Sequence, residues 1–188
     1  MDRREPRAVL VTGVFGSGKT SVAEEIADVL EKRGLPYALL DFDYVMWFDT
    51  GNADEKSAYR MMLANLSALV RNYVASDVRF FILAGAIRDR SELDGIRAEL
   101  RMPLKVVRLT VPLAEIEERL RSSVTTARRR DDLPEAAAQL AASTGTGIED
   151  LAFRTTGQFA RWPQASRTGS DGRELVRSPL GPRDMGER

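Results

Sequence analysis

The sequence predicts an α/β fold with three layers, α/β/α, built on a mostly parallel five-stranded sheet. Short apolar runs of strand length alternate along the chain with segments whose apolar residues recur at helical spacing. The runs are continuously apolar, which is typical of parallel strands buried on both faces. The length of 188 residues suits one compact domain. We therefore expect right-handed crossovers to place helices on both faces of the sheet.

The first half of the chain contains three predicted strands and two predicted helices. The strands are expected at residues 8–12, 36–40 and 78–84. A first helix begins near Ser17, where the apolar spacing becomes helical, and Gly34 provides its C-terminal stop. A long amphipathic helix runs from Tyr59 to Tyr73. This half therefore predicts a β-α-β-α-β order.

The second half predicts two further strands, at residues 104–109 and at the sheet edge, 150–154. Ser91 and Asp94 resemble a capping box that begins a third helix. Pro112 suits the first position of a fourth helix, on which Glu115–Arg119 and Glu117–Arg121 are favourable pairs. Residues 122–133 are polar and predict a mobile loop, 134–142 a short helix, and 156–188 an irregular tail. We thus expect one domain over residues 1–155.

The composition excludes several kinds of chemistry. The chain has no cysteine and no histidine, which excludes thiolate nucleophiles, imidazole bases and the metal sites built from them. Lys and Arg together number 28, as do Asp and Glu, so the zero net charge gives no support for nucleic-acid binding. The apolar run at residues 8–11 is too short for a signal peptide or a membrane span. We expect a cytoplasmic protein with no membrane partner.

One motif indicates the chemistry. Gly13-Val14-Phe15-Gly16-Ser17-Gly18-Lys19-Thr20 matches G-x-x-x-x-G-K-[ST], with a strand before it and a helix after it. Its backbone N–H groups would form a nest for phosphate oxygens, Lys19 would reach the β and γ phosphates, and Thr20 would bind Mg²⁺. The sequence therefore predicts a P-loop NTPase that uses ATP and Mg²⁺. The nucleotide-binding residues would be Gly13, Phe15, Gly16, Ser17, Gly18, Lys19, Thr20 and Ser21.

In this context the motif resembles that of the P-loop small-molecule kinases grouped around adenylate kinase, shikimate and gluconate kinases, and adenylylsulfate kinase. The resemblance covers roughly residues 7–155. Leu40-Asp41-Phe42-Asp43 also resembles the acidic end of the second strand in these kinases. The resemblance implies that Asp41 and Asp43 handle the acceptor hydroxyl and magnesium, with Asp41 catalytic and a metal ligand. The alternative is a solvated strand end or a helix cap.

Several arginines have counterparts in the same kinases. Arg88 and Arg90 follow the third strand, where adenylylsulfate kinases have arginines that bind an anionic substrate. The alternative is that they are surface arginines near the start of a helix. The stretch at 122–133 corresponds in order to a lid. The resemblance implies that Arg119, Arg128 and Arg129 contact the transferring phosphoryl group or the nucleotide, although Arg119 has Glu115 as an alternative partner. Three aromatic residues would wall an acceptor pocket or pack under the helices: Tyr44, Trp47 and Phe48.

Three function classes follow from these motifs. The resemblance favours a kinase that transfers the γ-phosphoryl group of ATP to a hydroxyl or anionic group of a small molecule. The alternatives are a P-loop ATPase that acts as a nucleotide-dependent switch and a nucleotide binder without activity. Neither the acceptor nor the oligomeric state is set by any motif.

Overall fold

The structure is a computed structural model that describes residues 5–46, 54–123 and 147–155, together with residues 134, 135, 137, 138 and 141. In the first half the elements are β1 (Arg7–Gly13), α1 (Lys19–Lys32), β2 (Tyr37–Asp41), α2 (Phe42–Val45) and α3 (Glu55–Ala75). In the second half they are β3 (Phe80–Ala84), α4 (Arg90–Leu100), β4 (Leu104–Thr110), α5 (Leu113–Ser123) and β5 (Leu151–Arg154).

The five strands form one sheet in the order β2-β3-β1-β4-β5, and every neighbouring pair is parallel. The predicted three-layer α/β fold is therefore confirmed, with a sheet that is wholly parallel within the described residues. β1 lies at the centre, where Val9 pairs with Ile82 on one side and with Lys105 on the other. The carboxyl end of β1 consequently opens between those of β3 and β4, the place where open α/β sheets bind ligands.

Alternate residues of the strands face two apolar layers. On one face, Val9 and Val11 pack with Ala23 and Ala27 of α1. On the opposite face, Leu10 belongs to a core that includes Met62 and Leu66 of α3 and Leu93 and Ile96 of α4. The sheet is thus covered on both faces, which explains its continuous apolar runs.

The helix ends follow local capping rules. Gly34 has a φ of 65° and donates its N–H to the Glu31 carbonyl, while Leu35 donates to the Leu30 carbonyl. These two bonds form the Schellman motif that ends α1, as the glycine predicts. α3 is longer than predicted because Asp54 caps it, accepting the Ser57 N–H at 2.6 Å.

Three predicted boundaries were wrong. The third predicted helix is capped by Asp89, not by Ser91, because the Asp89 carboxylate accepts the Glu92 N–H at 2.9 Å. The first helix begins at Lys19 and not at Ser17, since the preceding residues form the turn of the glycine-rich motif. α5 continues to Ser123, two residues into the segment predicted as a loop.

Some predictions fall outside the described residues. They concern Trp47 and Phe48, the polar loop that follows them, Arg128 and Arg129 in the remainder of the lid segment, and the tail at 156–188. The division into a domain and a tail therefore stays a prediction. The described residues between 134 and 141 are helical, as predicted. No helix in the described part of the chain has the length and apolar content that membrane crossing requires.

Candidate functional site

The glycine-rich motif forms a tight loop between the centre of the sheet and α1. β1 ends at Gly13, and α1 begins at Lys19 with Gly18 as its N-cap. Gly18 has a φ of 91° and Gly16 a φ of 73°, backbone conformations that side-chain-bearing residues rarely adopt. Within the described residues no side chain caps α1, and its first turn contains no acidic residue, so its N-terminal amides face the loop without a side-chain cap.

The space around Gly13 explains why this position is glycine. Its φ is 152°, and a Cβ there would lie 2.7 Å from the Leu109 carbonyl oxygen and 2.8 Å from the Ser17 hydroxyl. The Ser17 hydroxyl is buried and has no hydrogen-bond partner within the described residues. Because an unpaired buried hydroxyl costs about 1–3 kcal/mol, it points to a polar ligand that belongs in the loop.

Lys19 lies over the loop. Its Nζ donates to the Val14 carbonyl at 3.1 Å and lies 5.4 Å from the centroid of the Phe15 ring. Burial lowers the pKa of Lys19 below its ordinary value, while the negative charges of Asp43 and Asp41 partly oppose this. The structure thus brings together a desolvated cation and two carboxylates, the charge arrangement of a site for a phosphate and a metal ion.

Thr20 and Asp41 join the first helix to the end of β2. The Thr20 hydroxyl donates to Asp41 Oδ2 at 2.7 Å, and the Asp43 N–H donates to Asp41 Oδ1 at 2.9 Å. Asp41 is only 8% exposed, whereas Asp43 is exposed. Through the bond from Asp43, Asp41 caps α2, which is the helix-cap alternative that the sequence offered. The metal and acceptor roles of Asp41 and Asp43 stay predictions, with one carboxylate fixed beside Thr20 and the other exposed to solvent close to Lys19.

Two side chains hold the outer side of the loop. Arg119 on α5 donates to the Gly16 carbonyl at 3.2 Å and pairs with Glu115 at 3.1 Å, so the predicted pair forms and Arg119 also reaches the motif. The Thr155 hydroxyl donates to the Ser17 carbonyl at 3.3 Å. Thr155 carries no recognisable sequence signal, because a threonine after an edge strand is common in any protein.

The arginines after β3 contact their own neighbourhood. Arg88 pairs with Glu92 at 2.6 Å, and Glu92 also accepts the Arg88 N–H at 2.8 Å. Arg90 donates to the Gly147 carbonyl at 2.7 Å, which fastens the segment before β5 to α4. Both side chains are exposed, and their predicted role in substrate binding stays a prediction.

A buried ion pair fastens the same segment to the sheet. Arg108 on β4 is 7% exposed and donates to Glu149 at 3.1 Å. Burial would raise the pKa of Glu149, but hydrogen bonds from its own N–H and from Arg108 lower it below the ordinary value. This pair carries no local sequence signal, because Arg108 and Glu149 lie 41 residues apart.

The loop after β3 is held in place by contacts with β1 and with the residue that follows β2. The Ile87 N–H donates to the buried Thr12 hydroxyl at 3.2 Å. Gly85 leaves room for Phe42, since a Cβ at Gly85 would lie 2.3 Å from that ring. Phe42 stands between Asp41 and Asp43 in sequence, so its burial under Gly85 sets where the two carboxylates project.

The residues present fit a nucleoside triphosphate and magnesium. The loop offers backbone amides, Lys19 and an unpaired Ser17 hydroxyl to phosphate oxygens. Thr20 and Asp41 offer the two oxygens that Mg²⁺ takes from a protein when phosphates and waters supply the others. Ser21 follows in the first turn of α1. No group of three or more acidic residues able to hold a metal alone occurs in the described ranges.

Comparison with known proteins gives a likeness of fold. No family model matches the chain, and no curated protein sequence matches it. Shikimate kinase from Bacteroides thetaiotaomicron superposes with a TM-score of 0.56 at 16% identity, covering 82% of this chain and 90% of that one.

Two other solved structures agree with this likeness. A gluconokinase from Sinorhizobium meliloti 1021 gives a TM-score of 0.55 at 18% identity, over 82% of this chain and 86% of that one. A sugar kinase from Janibacter sp. HTCC2649 gives a TM-score of 0.56 at 21% identity, covering 80% of this chain and 84% of that one. Together with the central glycine-rich loop and the parallel sheet, these matches establish that the chain has the fold of the P-loop small-molecule kinases.

Proposed function

We propose that this protein is an ATP-dependent kinase that transfers the γ-phosphoryl group to a hydroxyl or anionic group of a small molecule. The observation that carries the proposal is the 2.7 Å hydrogen bond between Thr20 and Asp41 beside Lys19, at the mouth of the loop. Phosphoryl transfer needs positioned charge more than a reactive side chain. A chain without histidine and cysteine can therefore supply all the groups that this reaction requires.

In the proposed complex, ATP occupies the loop. Lys19 exchanges its bond to the Val14 carbonyl for the β and γ phosphate oxygens, and the Ser17 hydroxyl, which has no partner in the described part of the chain, gains one. Lys19 is half-buried, so the attraction of its ammonium group for the phosphates is screened less than that of a surface lysine. Arg119 fixes the loop from outside through the Gly16 carbonyl.

Thr20 and Asp41 would hold Mg²⁺, which neutralises charge on the phosphates when it is bound. Both Asp41 oxygens already accept hydrogen bonds, one from Thr20 and one from the Asp43 N–H. The exposed Asp43 carboxylate is better placed to meet a solvent-borne acceptor. We therefore assign Asp41 to the metal and Asp43 to the acceptor hydroxyl, with Arg88 and Arg90 as the groups for an anionic acceptor.

The test measures ADP formation by the full chain with ATP and Mg²⁺, alone and with a panel of polyols, sugar acids and hydroxy acids. The proposal predicts that one acceptor class raises turnover at least tenfold over acceptor-free hydrolysis. Lys19→Ala should remove both turnover and ATP binding. Asp43→Asn should keep ATP binding and lose the acceptor-dependent part.

Two outcomes would contradict the proposal. Steady ATP hydrolysis that no acceptor changes would instead support a nucleotide-dependent switch. Binding of ATP without any turnover, by the wild type and with every acceptor, would support an inactive binder. The cytoplasmic location expected from the sequence is part of the same proposal.

A further inference from the structure

We propose that Thr155 is a positioning residue of the nucleotide site, whose hydroxyl fixes the direction of the Gly18 N–H. The inference rests on the proposed function, because it takes that amide to bind a phosphate oxygen. The observation is the 3.3 Å hydrogen bond from Thr155 Oγ1 to the carbonyl of Ser17, a residue 138 positions earlier. It joins the end of the last strand to the centre of the loop.

The geometry of one peptide unit carries the argument. The Ser17 carbonyl and the Gly18 N–H belong to the same peptide bond, which is planar and trans, so they point in opposite directions. Because the Thr155 hydroxyl holds the Ser17 carbonyl on the outer side of the loop, the Gly18 N–H points towards the inside of the loop. Among the residues described, nothing accepts a hydrogen bond from the Gly18 N–H, which stands at the N-cap of α1. It is therefore available to an anion.

Thr155 is itself held rigidly. Its N–H donates to the Thr110 carbonyl at 2.9 Å, continuing the ladder in which Thr110 pairs with Arg154. β4 in turn pairs with β1 up to Gly13 and Leu109. The hydroxyl oxygen therefore stands two bonds away from the Cα of a backbone that is fixed relative to the start of the loop. A short side chain on such a backbone loses little entropy when it holds a carbonyl.

Arg119 holds the preceding peptide unit through the Gly16 carbonyl, and the Ser17 N–H of that unit donates to the Val14 carbonyl at 3.2 Å. Substituting Arg119 would change both charge and geometry near the phosphates. Substituting Thr155 changes no charge. Thr155 is therefore the residue that tests loop geometry by itself.

The experiment compares Thr155→Val, which removes the hydroxyl at nearly constant shape, with Thr155→Ser, which keeps it. Thr110→Val is the matched control, because the Thr110 hydroxyl donates to the Phe153 carbonyl at 3.2 Å between the same two strands, outside the loop. The readouts are the Kd for ATP with Mg²⁺ by calorimetry and the amide resonance of Gly18 in nucleotide-free protein. Thermal melting of each variant reports its stability.

We expect Thr155→Val to weaken ATP binding about fivefold, the worth of one hydrogen bond, and to move the Gly18 resonance. Thr155→Ser should restore both readouts. Thr110→Val should lower the melting temperature about as much as Thr155→Val and leave ATP affinity unchanged. If Thr155→Val does not fold, Thr155→Ala serves in its place.

An unmoved Gly18 resonance in Thr155→Val overturns the inference, and so does a moved resonance with unchanged ATP affinity. Equal loss of affinity in Thr110→Val would mean that Thr155 acts only through strand stability, and would overturn it too. Failure of the wild type to bind ATP would refute the proposed function instead. In that case the Gly18 resonance still decides whether Thr155 sets the direction of the peptide.

Discussion

The Thr20 hydroxyl lies 2.7 Å from Asp41 Oδ2 and joins the first turn of α1 to the carboxyl end of β2. The contact unites two motifs that lie 21 residues apart in the sequence. It also places the Thr20 hydroxyl oxygen and Asp41 Oδ2 next to each other and close to Lys19.

Asp41→Asn should separate nucleotide binding from turnover. The amide oxygen can still accept one of the two hydrogen bonds that Asp41 accepts, so the fold is kept, while the negative charge for Mg²⁺ is lost. We expect kcat to fall by about 10²-fold and the Mg²⁺ concentration for half-maximal activity to rise. Steady-state kinetics over a magnesium series measures both. Thr20→Ser should resemble the wild type, and undiminished activity in Asp41→Asn would remove Asp41 from the metal site.

Lys19→Met should stabilise the nucleotide-free protein while abolishing ATP binding. The folded-state pKa of Lys19 lies below its ordinary value because of burial, so the charged form destabilises the fold at neutral pH. This destabilisation is relieved as pH rises through the lowered pKa towards 10.5, the ordinary value. We expect the melting temperature of Lys19→Met to exceed that of the wild type by a few degrees at pH 7. The difference between the two melting temperatures should shrink at pH 10. If Lys19→Met melts at a lower temperature than the wild type at pH 7, burial of the Lys19 charge does not destabilise the fold.

Gly85→Ala should damage both stability and activity. The added Cβ would lie 2.3 Å from the Phe42 ring, and overpacking of this kind costs about 1–3 kcal/mol. Because Phe42 carries Asp41 and Asp43 on either side, its displacement also moves the carboxylates. In urea unfolding, Phe42→Leu should lose less stability in the Gly85→Ala background than in the wild type. Strict additivity of the two changes would show that the residues are not coupled.

Tyr59→Phe should flatten the loss of stability in alkaline solution. The Tyr59 hydroxyl donates to the Glu92 carbonyl at 2.6 Å, and burial, with the charges of Glu92 and Asp89, raises its pKa from 10.0 to about 12. The folded state therefore keeps the neutral phenol after the unfolded state has ionised. The contribution of the Tyr59 hydroxyl to the free energy of unfolding is fully present below pH 10 and is lost as pH rises through about 12.

Urea unfolding between pH 9 and pH 12 measures this effect, with Tyr73→Phe as the matched control on the same helix. The free energy of unfolding should fall less steeply for Tyr59→Phe than for the wild type or the control. Parallel curves for all three proteins would contradict the assignment.

The sheet and the loop could be predicted because their signals are local. A continuous apolar run, a glycine-rich motif and a helical period each lie within one short window, and all five strands were found within a few residues of their observed ends. Gly34 as a helix stop and the two Glu–Arg pairs of α5 depend on neighbours in sequence, and they are confirmed as well.

The rest depends on contacts between distant residues. Thr155 reaches Ser17 across 138 positions, and Ile87 reaches Thr12 across 75. The order of the strands in the sheet determines which distant residues become partners, and no short segment of sequence contains that order. The Asp89 cap was missed for a different reason, since two candidate caps lie two residues apart and the apolar pattern cannot separate them.

The position of β1 between β3 and β4 has a consequence for biosynthesis. The chain makes this strand first, yet its two partners are more than sixty and ninety residues away. A nascent polypeptide on the ribosome therefore carries this strongly apolar strand without either partner until residue 84 has emerged from the exit tunnel, and with one open edge until residue 110 has emerged. During that interval the exposed apolar edge favours binding of the unfinished chain by chaperones.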